Sequence, residues 1–128
     1  MEKIAIDTNI AIDMLNGKTG TISTVSKYDL VFIPVIVSGE LLFGAKNSGK
    51  SESNLKRHRN FITSLVELPI NNVVAEEYSN IRLSLKQKGR PIPENDIWIA
   101  AICMVNKVPL ISRDKHFENI DDLLLEMI

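Results

Sequence analysis

Asp7, Glu40, Asp96 and Asp114 lie far apart in the chain, yet each falls where the local apolar pattern turns a side chain inward or sets it at a strand end. A buried carboxylate without a partner is costly, so such placement needs a cause. Converging carboxylates repel and raise one another's pKa, and a divalent cation among them makes the group stable. The four acids therefore point to a metal-dependent centre. Basic residues gather elsewhere, at Lys46, Lys50, Lys56, Arg57 and Arg59 and again at Lys86, Lys88 and Arg90. They read either as solvated helix faces or as a rim of cations suited to a phosphate chain that meets a metal.

Periodicity and punctuation indicate the elements that must carry these acids. KIAI at 3–6 is a short apolar strand ending at Asp7, and Thr8 or Asn9 is placed to cap the helix in IAIDML. After a loop marked by Gly17 and Gly20, a short helix near 21–28 leads to the strand LVFI at 30–33, halted by Pro34. Pro34 then opens the helix VIVSGELLFGA, on which Glu40 shares a face with Ile36, Val37, Phe43 and Gly44. Residues 51–66 form an amphipathic helix with His58 on its stripe, read as a packed or capping side chain rather than a ligand. A brief strand at VELP and a cap at Asn71 or Asn72 come next, then Val74, Tyr78, Ile81 and Leu85 at helical spacing up to Gly89. RPIPEND is extended by its prolines and offers Glu94 or Asn95 as cap to the helix IWIAAICMVN. Asp96 thus sits in a first turn, on the face of Ile99, Ala100 and Cys103, where the helix dipole favours its ionised form. KVPLI at 107–111 is a further strand, Asp114 follows in the SRD turn, and LLLEMI reads as a last strand.

Strands alternating with helices predict a three-layer α/β domain, its central, mostly parallel sheet of about four or five strands flanked by helices. Ligand sites of such sheets collect outside the carboxyl ends of the strands. Asp7 and Asp114 lie there, and Glu40 and Asp96 ride on helices that can face the same crevice. At 128 residues the chain is read as one domain, 1–128. That length buries about two-thirds of the unfolded surface. A hydrophobic content of 45% and a mean hydropathy of +0.04 are those of a soluble globular protein. The net charge of −1 and a pI near 6.1 argue against the broad basic face of avid duplex-DNA binders. A single cysteine, Cys103, leaves no disulfide framework and no thiolate metal site. No apolar run reaches the roughly 20 residues of a membrane span. MEKIAIDTN is not a signal peptide, and a cytoplasmic location is expected.

IAIDTNI, SGELLFGA, PIPENDIWIAA and LISRDKHF together carry a resemblance: the chain resembles the PIN-domain ribonucleases over essentially its whole length, and among them the VapC toxins of prokaryotic toxin–antitoxin pairs. The resemblance implies a PIN-like fold, usually homodimeric, that cleaves RNA with Mg2+ or Mn2+. It also implies a cognate antitoxin of the VapB type, a heterotetramer or larger assembly with it, and no membrane. Position by position, the family's acids fall on Asp7, Glu40, Asp96 and Asp114. Asp7 and Asp96 are expected as direct metal ligands, with Glu40 and Asp114 binding partly through water or activating the nucleophile. Thr8, Asn9 and Ser112 match the polar positions that orient a carboxylate or a water. Lys46, Lys50, Arg90 and Arg113 are candidate RNA contacts. Magnesium prefers oxygen ligands and keeps several waters, so few carboxylates need touch it. Water activated beside the ion would attack the phosphodiester in line, leaving 5′-phosphate and 3′-hydroxyl ends.

Other readings compete. A PIN domain can process RNA outside a toxin–antitoxin pair, or bind RNA or protein without cutting, although an intact acid set disfavours the latter. GAKNSGKS, Gly44 to Ser51, satisfies phosphate-loop spacing, but such a loop must follow a strand and here follows helical periodicity. A haloacid-dehalogenase-type phosphatase needs an acid where Asn9 stands, and a receiver domain needs an aspartate after a middle strand. Trp98 is expected to pack against the core or a dimer partner, with stacking on an RNA base as the alternative.

Overall fold

The computed structural model describes residues 2–128. Strand β1 (Lys3–Ile6) leads to α1 (Thr8–Leu15) and α2 (Thr19–Val25), then β2 (Leu30–Pro34), α3 (Val35–Lys46) and α4 (Ser51–Thr63). Strand β3 (Val66–Leu68), α5 (Asn72–Lys88), α6 (Glu94–Val105) and β4 (Leu110–Ser112) follow, and a 3-10 turn (Lys115–Asn119) precedes β5 (Leu125–Met127). The five strands form one sheet in the order β3-β2-β1-β4-β5, and every pairing is parallel. Parallel neighbours cannot be joined by tight turns, so helices cross over between them and cover both faces. The chain winds outward from β1 through β2 to β3, then returns to lay β4 on the other side of β1. Winding reverses between β1 and β4, which opens a crevice at their carboxyl ends.

Burial on both faces explains the continuous apolar runs. Ile4, Ala5 and Ile6 of β1 and Leu110 and Ile111 of β4 are completely shielded from solvent. Against them pack Ile10 and Ala11 of α1, Val37 and Leu41 of α3, and the six buried residues Ile97 and Ile99–Cys103 of α6. Each such isoleucine or leucine contributes about 1.5–3 kcal/mol on burial. Small Ala100 and Ala101 carry little bulk where α6 enters the core. Helix α5 is anchored at both ends. Asn71 Oδ1 accepts from Val74 N at 3.0 Å, and Gly89 adopts a left-handed φ of 67°, with Arg90 N donating to Leu85 O and Gly89 N to Lys86 O. That is the Schellman arrangement, which favours glycine. No helix among the described residues is long and apolar enough to cross a membrane.

Several boundaries differ from expectation. Asp7 itself, not Thr8 or Asn9, caps α1, because the helix starts immediately after it. Pro34 ends β2 and precedes α3 rather than opening it, and α2 lies earlier, at Thr19–Val25. Helix α4 stops at Thr63, where Ser64 N closes the last turn on Asn60 and Phe61 carbonyls. Helix α6 has Pro93 before its first residue and no side-chain cap, so neither Glu94 nor Asn95 performs that role. Lys107 adopts a φ of 55°, a left-handed turn that delays β4 to Leu110. His58, read as a packed or capping side chain, has Nδ1 at 2.8 Å from Leu41 O and so ties α4 to α3. Trp98 stacks on Tyr78 across α5 and α6, with ring centroids 3.9 Å apart and planes at 11°, so one ring face is already occupied.

Candidate active site

Asp7 is the first residue beyond β1 and is only 4% exposed. Its Oδ1 accepts from Thr8 N at 2.8 Å, and its Oδ2 accepts from Ser112 Oγ at 2.6 Å, at the end of the neighbouring strand β4. Ser112 Oγ in turn accepts from Asp114 N at 2.9 Å, so one buried hydroxyl joins the first acid to the backbone of the last. Burial pushes the Asp7 carboxyl above its ordinary pKa; the Ser112 and Thr8 hydrogen bonds act against this, while the charges of Glu40 and Asp114 add to it. Asn9 Oδ1 accepts from Arg113 N at a long 3.5 Å. Thr8, Asn9 and Ser112 thus all hold groups of the crevice.

Asp96 stands in the first turn of α6, where the helix dipole favours negative charge. Desolvation nevertheless dominates, and with the Asp7 and Asp114 charges it pushes the Asp96 carboxyl up to about 6. Contact with His116 opposes the shift. Asp114 accepts from His116 N at 2.9 Å and so starts the 3-10 turn. His116 Nδ1 lies 2.9 Å from Asp114 Oδ1 and 3.3 Å from Asp96 Oδ2. One donor atom each from Asp96, Asp114 and His116 fall within 4.8 Å of one another, a set able to hold a metal ion.

Glu40 occupies the flank. Its Oε1 accepts from Thr8 Oγ1 at 2.7 Å. The residue is half-buried, and Phe43 on the same face is 68% exposed, because α3 buries Val37, Ser38, Leu41 and Ala45 instead. Glu40 therefore points into an open groove of about 570 Å³ lined also by Thr8, Val35, Ile36, Phe43 and Asn95, and not into the core. Only Asp7 of the four acids is fully buried; the other three are half-buried around the mouth of the crevice.

The basic residues are placed less uniformly. Lys46 lies six residues beyond Glu40. That is about 9 Å along the axis of α3, with Lys50 further on. A larger concavity, about 860 Å³, opens there between Gly49 and Asn60, with Lys50, Lys56 and Arg59 at its wall, away from the acids. Arg90 is exposed in the loop that enters α6. Arg113 is engaged within the fold: both its terminal nitrogens bond Asp13, Nη2 at 3.2 Å from Oδ1. Gly44 to Ser51 spans the end of α3 and the start of α4, so the strand that a phosphate loop requires is missing.

Two participants escaped the sequence reading. Asp13 is buried, accepts from Thr21 Oγ1 at 2.8 Å as well as from Arg113, and is held below the ordinary carboxylate range chiefly by the Arg113 hydrogen bonds. An aspartate within the apolar IAIDML run was the available signal, but its partner is 100 residues away. His116 was within sight in SRDKHF, two residues after Asp114.

A doubly wound parallel sheet with hydrogen-bonded carboxylates gathered at its switch point defines an α/β protein with a metal-ready acidic centre. The family model for the PIN domain matches residues 4–123, and the chain belongs to that family. It is 30% identical to the ribonuclease VapC2 of Haemophilus influenzae, over 98% of each chain. Among solved structures it superposes on DNA-bound VapBC of Salmonella typhimurium with a TM-score of 0.91 and 28% identity, covering 99% of this chain and 98% of that one. VapBC2 of Rickettsia felis, bound to a promoter DNA fragment, gives 0.90 and 26%, covering 98% of each.

Proposed function

We propose that the chain is a single-domain, metal-dependent endoribonuclease, the VapC-type toxin of a toxin–antitoxin pair, acting on RNA in the cytoplasm. The observation that carries this reading is the meeting of Asp7, Asp96 and Asp114, flanked by Glu40, at the β1–β4 switch point. The donor set fits a hard divalent cation, Mg2+ or Mn2+, because it is carboxylate-rich and its members repel when no cation is bound. Asp7, Asp96 and Asp114 would hold the ion, which when bound supplies positive charge to the phosphodiester and makes nearby water more acidic.

The chain's own residues do the rest. Ser112 and Thr8 N fix the Asp7 carboxylate so that it need not reorient during the reaction. Thr8 engages Glu40 Oε1, leaving Oε2 to take the proton of the attacking water. Because water and not the ribose hydroxyl attacks, the products carry 5′-phosphate and 3′-hydroxyl ends. Arg90, beside the start of α6, is the best placed of the cations to receive the RNA backbone, whereas Lys46 and Lys50 serve a more distant stretch of it. The relatives assembled as VapBC support a VapB-type antitoxin as partner; the assembly proposed with it is a toxin homodimer within a heterotetramer or larger complex.

The test is direct. Purified protein should cleave RNA with Mg2+ or Mn2+, stop on chelation, and lose activity in Asp7→Asn and Asp96→Asn. Cleavage by Asp96→Asn at the parent rate would refute the assigned mechanism.

A further inference from the structure

His116 has no role in the scheme above, yet its imidazole lies within 3.3 Å of two of the acids. The distances are informative. Two donors bound side by side to one octahedral ion at about 2.1 Å lie about 3 Å apart. Nδ1 stands 2.9 Å from Asp114 Oδ1 and 3.3 Å from Asp96 Oδ2, so the nitrogen already has the spacing of an adjacent ligand to each carboxylate, and the three residues' donors lie within 4.8 Å of one another. The backbone holds the ring in place: His116 N donates to Asp114 Oδ1, and the next residue, Phe117, is 1% exposed and pins the turn into the core.

We propose that His116 is a direct ligand, through Nδ1, of the divalent cation held by Asp96 and Asp114, and that this nitrogen makes the centre prefer Mn2+ to Mg2+. The inference rests on the metal-centre reading given above and specifies the ion. Mn2+ is the most oxygen-seeking of the first-row transition-metal ions yet still accepts an imidazole nitrogen beside carboxylates, whereas Mg2+ selects oxygen and gains little from a nitrogen donor. In the unloaded protein an Nδ1 proton can bridge to the two carboxylates. Ligation through Nδ1 would use the Nε2–H tautomer, the single ring proton passing from Nδ1 to Nε2 through solvent so that Nδ1 presents its lone pair.

Spin-echo spectroscopy of Mn2+ bound to the full chain reads the nitrogen directly. The parent should show a directly coordinated 14N that changes character on 15N-histidine labelling and vanishes in His116→Gln. His58, the other histidine, sits on α4 with Nδ1 engaged with Leu41 O of α3, so His58→Gln should keep the signal. By calorimetry, His116→Gln should weaken Mn2+ at least about tenfold and leave Mg2+ within about twofold. Because half of the His116 side chain is exposed, the substitution leaves the core intact, and the labelled parent tests the ligand without any mutation. Mn2+ that binds, depends on Asp96 and yet shows no coordinated nitrogen would overturn the inference alone. Equal losses of Mn2+ and Mg2+ in His116→Gln would overturn the selectivity. A parent that binds neither ion would remove the metal-centre reading itself.

Discussion

Asp96→Asn should abolish cleavage and, in the absence of metal, make the protein more stable. Folding sets the Asp96 carboxyl in a desolvated position beside Asp7 and Asp114, which carries it from the ordinary 3.8 to about 6. That difference is worth about 3 kcal/mol against the ionised form at neutral pH. The crevice is open to water, and solvent screening reduces the figure to about 1–2 kcal/mol. Asparagine keeps the size and removes the charge. For a chain of 128 residues the expected rise in melting temperature is about 4–7 °C. The effect has a defined pH course. Below about 4 the carboxyl is protonated in both folded and unfolded chains and the variant gains nothing; between about 4 and 6 the unfolded chain ionises first, so parent stability falls; above about 6 the gap is constant. Divalent cation should reverse the order. At a hundred times its dissociation constant a ligand stabilises by about 2.7 kcal/mol. The parent gains this and the variant does not. Calorimetric melting of chelated and metal-loaded protein at pH 4 and pH 7.5 makes the comparison. An Asn variant that melts below the parent in chelator at pH 7.5 would show that the charge of Asp96 is already compensated within the fold, and the repulsion argument would fail.

Ser112→Ala removes the buried hydroxyl shared by Asp7 and Asp114 N, so the Asp7 carboxyl should rise further and metal affinity fall about tenfold, measured by titration calorimetry. Asp13→Ala should destabilise by about 1–3 kcal/mol in denaturant melts, since it strips the partner from Thr21 and Arg113. Because Asp13 is depressed in the fold, its contribution is full above the unfolded value of 3.8 and lost as pH falls through the lower folded one. A variant as stable as the parent at pH 7 would count against this pair. Gly89→Ala meets no neighbouring atom within 4 Å, so its cost is that of the left-handed backbone alone, about 1–2 kcal/mol, with metal affinity unchanged.

Much of the architecture is written locally. KIAI, LVFI and PLI are apolar enough to be buried on both faces, and Gly89 and Asn71 mark the ends of α5 by residue type. Boundaries slipped where a side chain had two possible uses. Asp7 could serve the centre or cap α1, and it does both, because one oxygen takes Thr8 N and the other Ser112 Oγ. Glu40 was read as inward-facing from its apolar neighbours, but helical spacing gives a face and not what lies opposite. Phe43 on that face is exposed.

The identity of the four acids, the polar residues beside them and the alternation that makes an α/β sheet were all present in the chain as types and spacings, since these depend on a few neighbouring residues. Tertiary structure decided which distant residues meet. Ser112 reaches Asp7 across 105 residues because β4 pairs beside β1 and not beside β3, a choice set by burial of whole strands and helices. The same pairing joins Arg113 to Asp13, 100 residues away. It also brings Asp96, Asp114 and His116 within 4.8 Å. Local sequence cannot encode such distances, because they arise only when separate elements share one core.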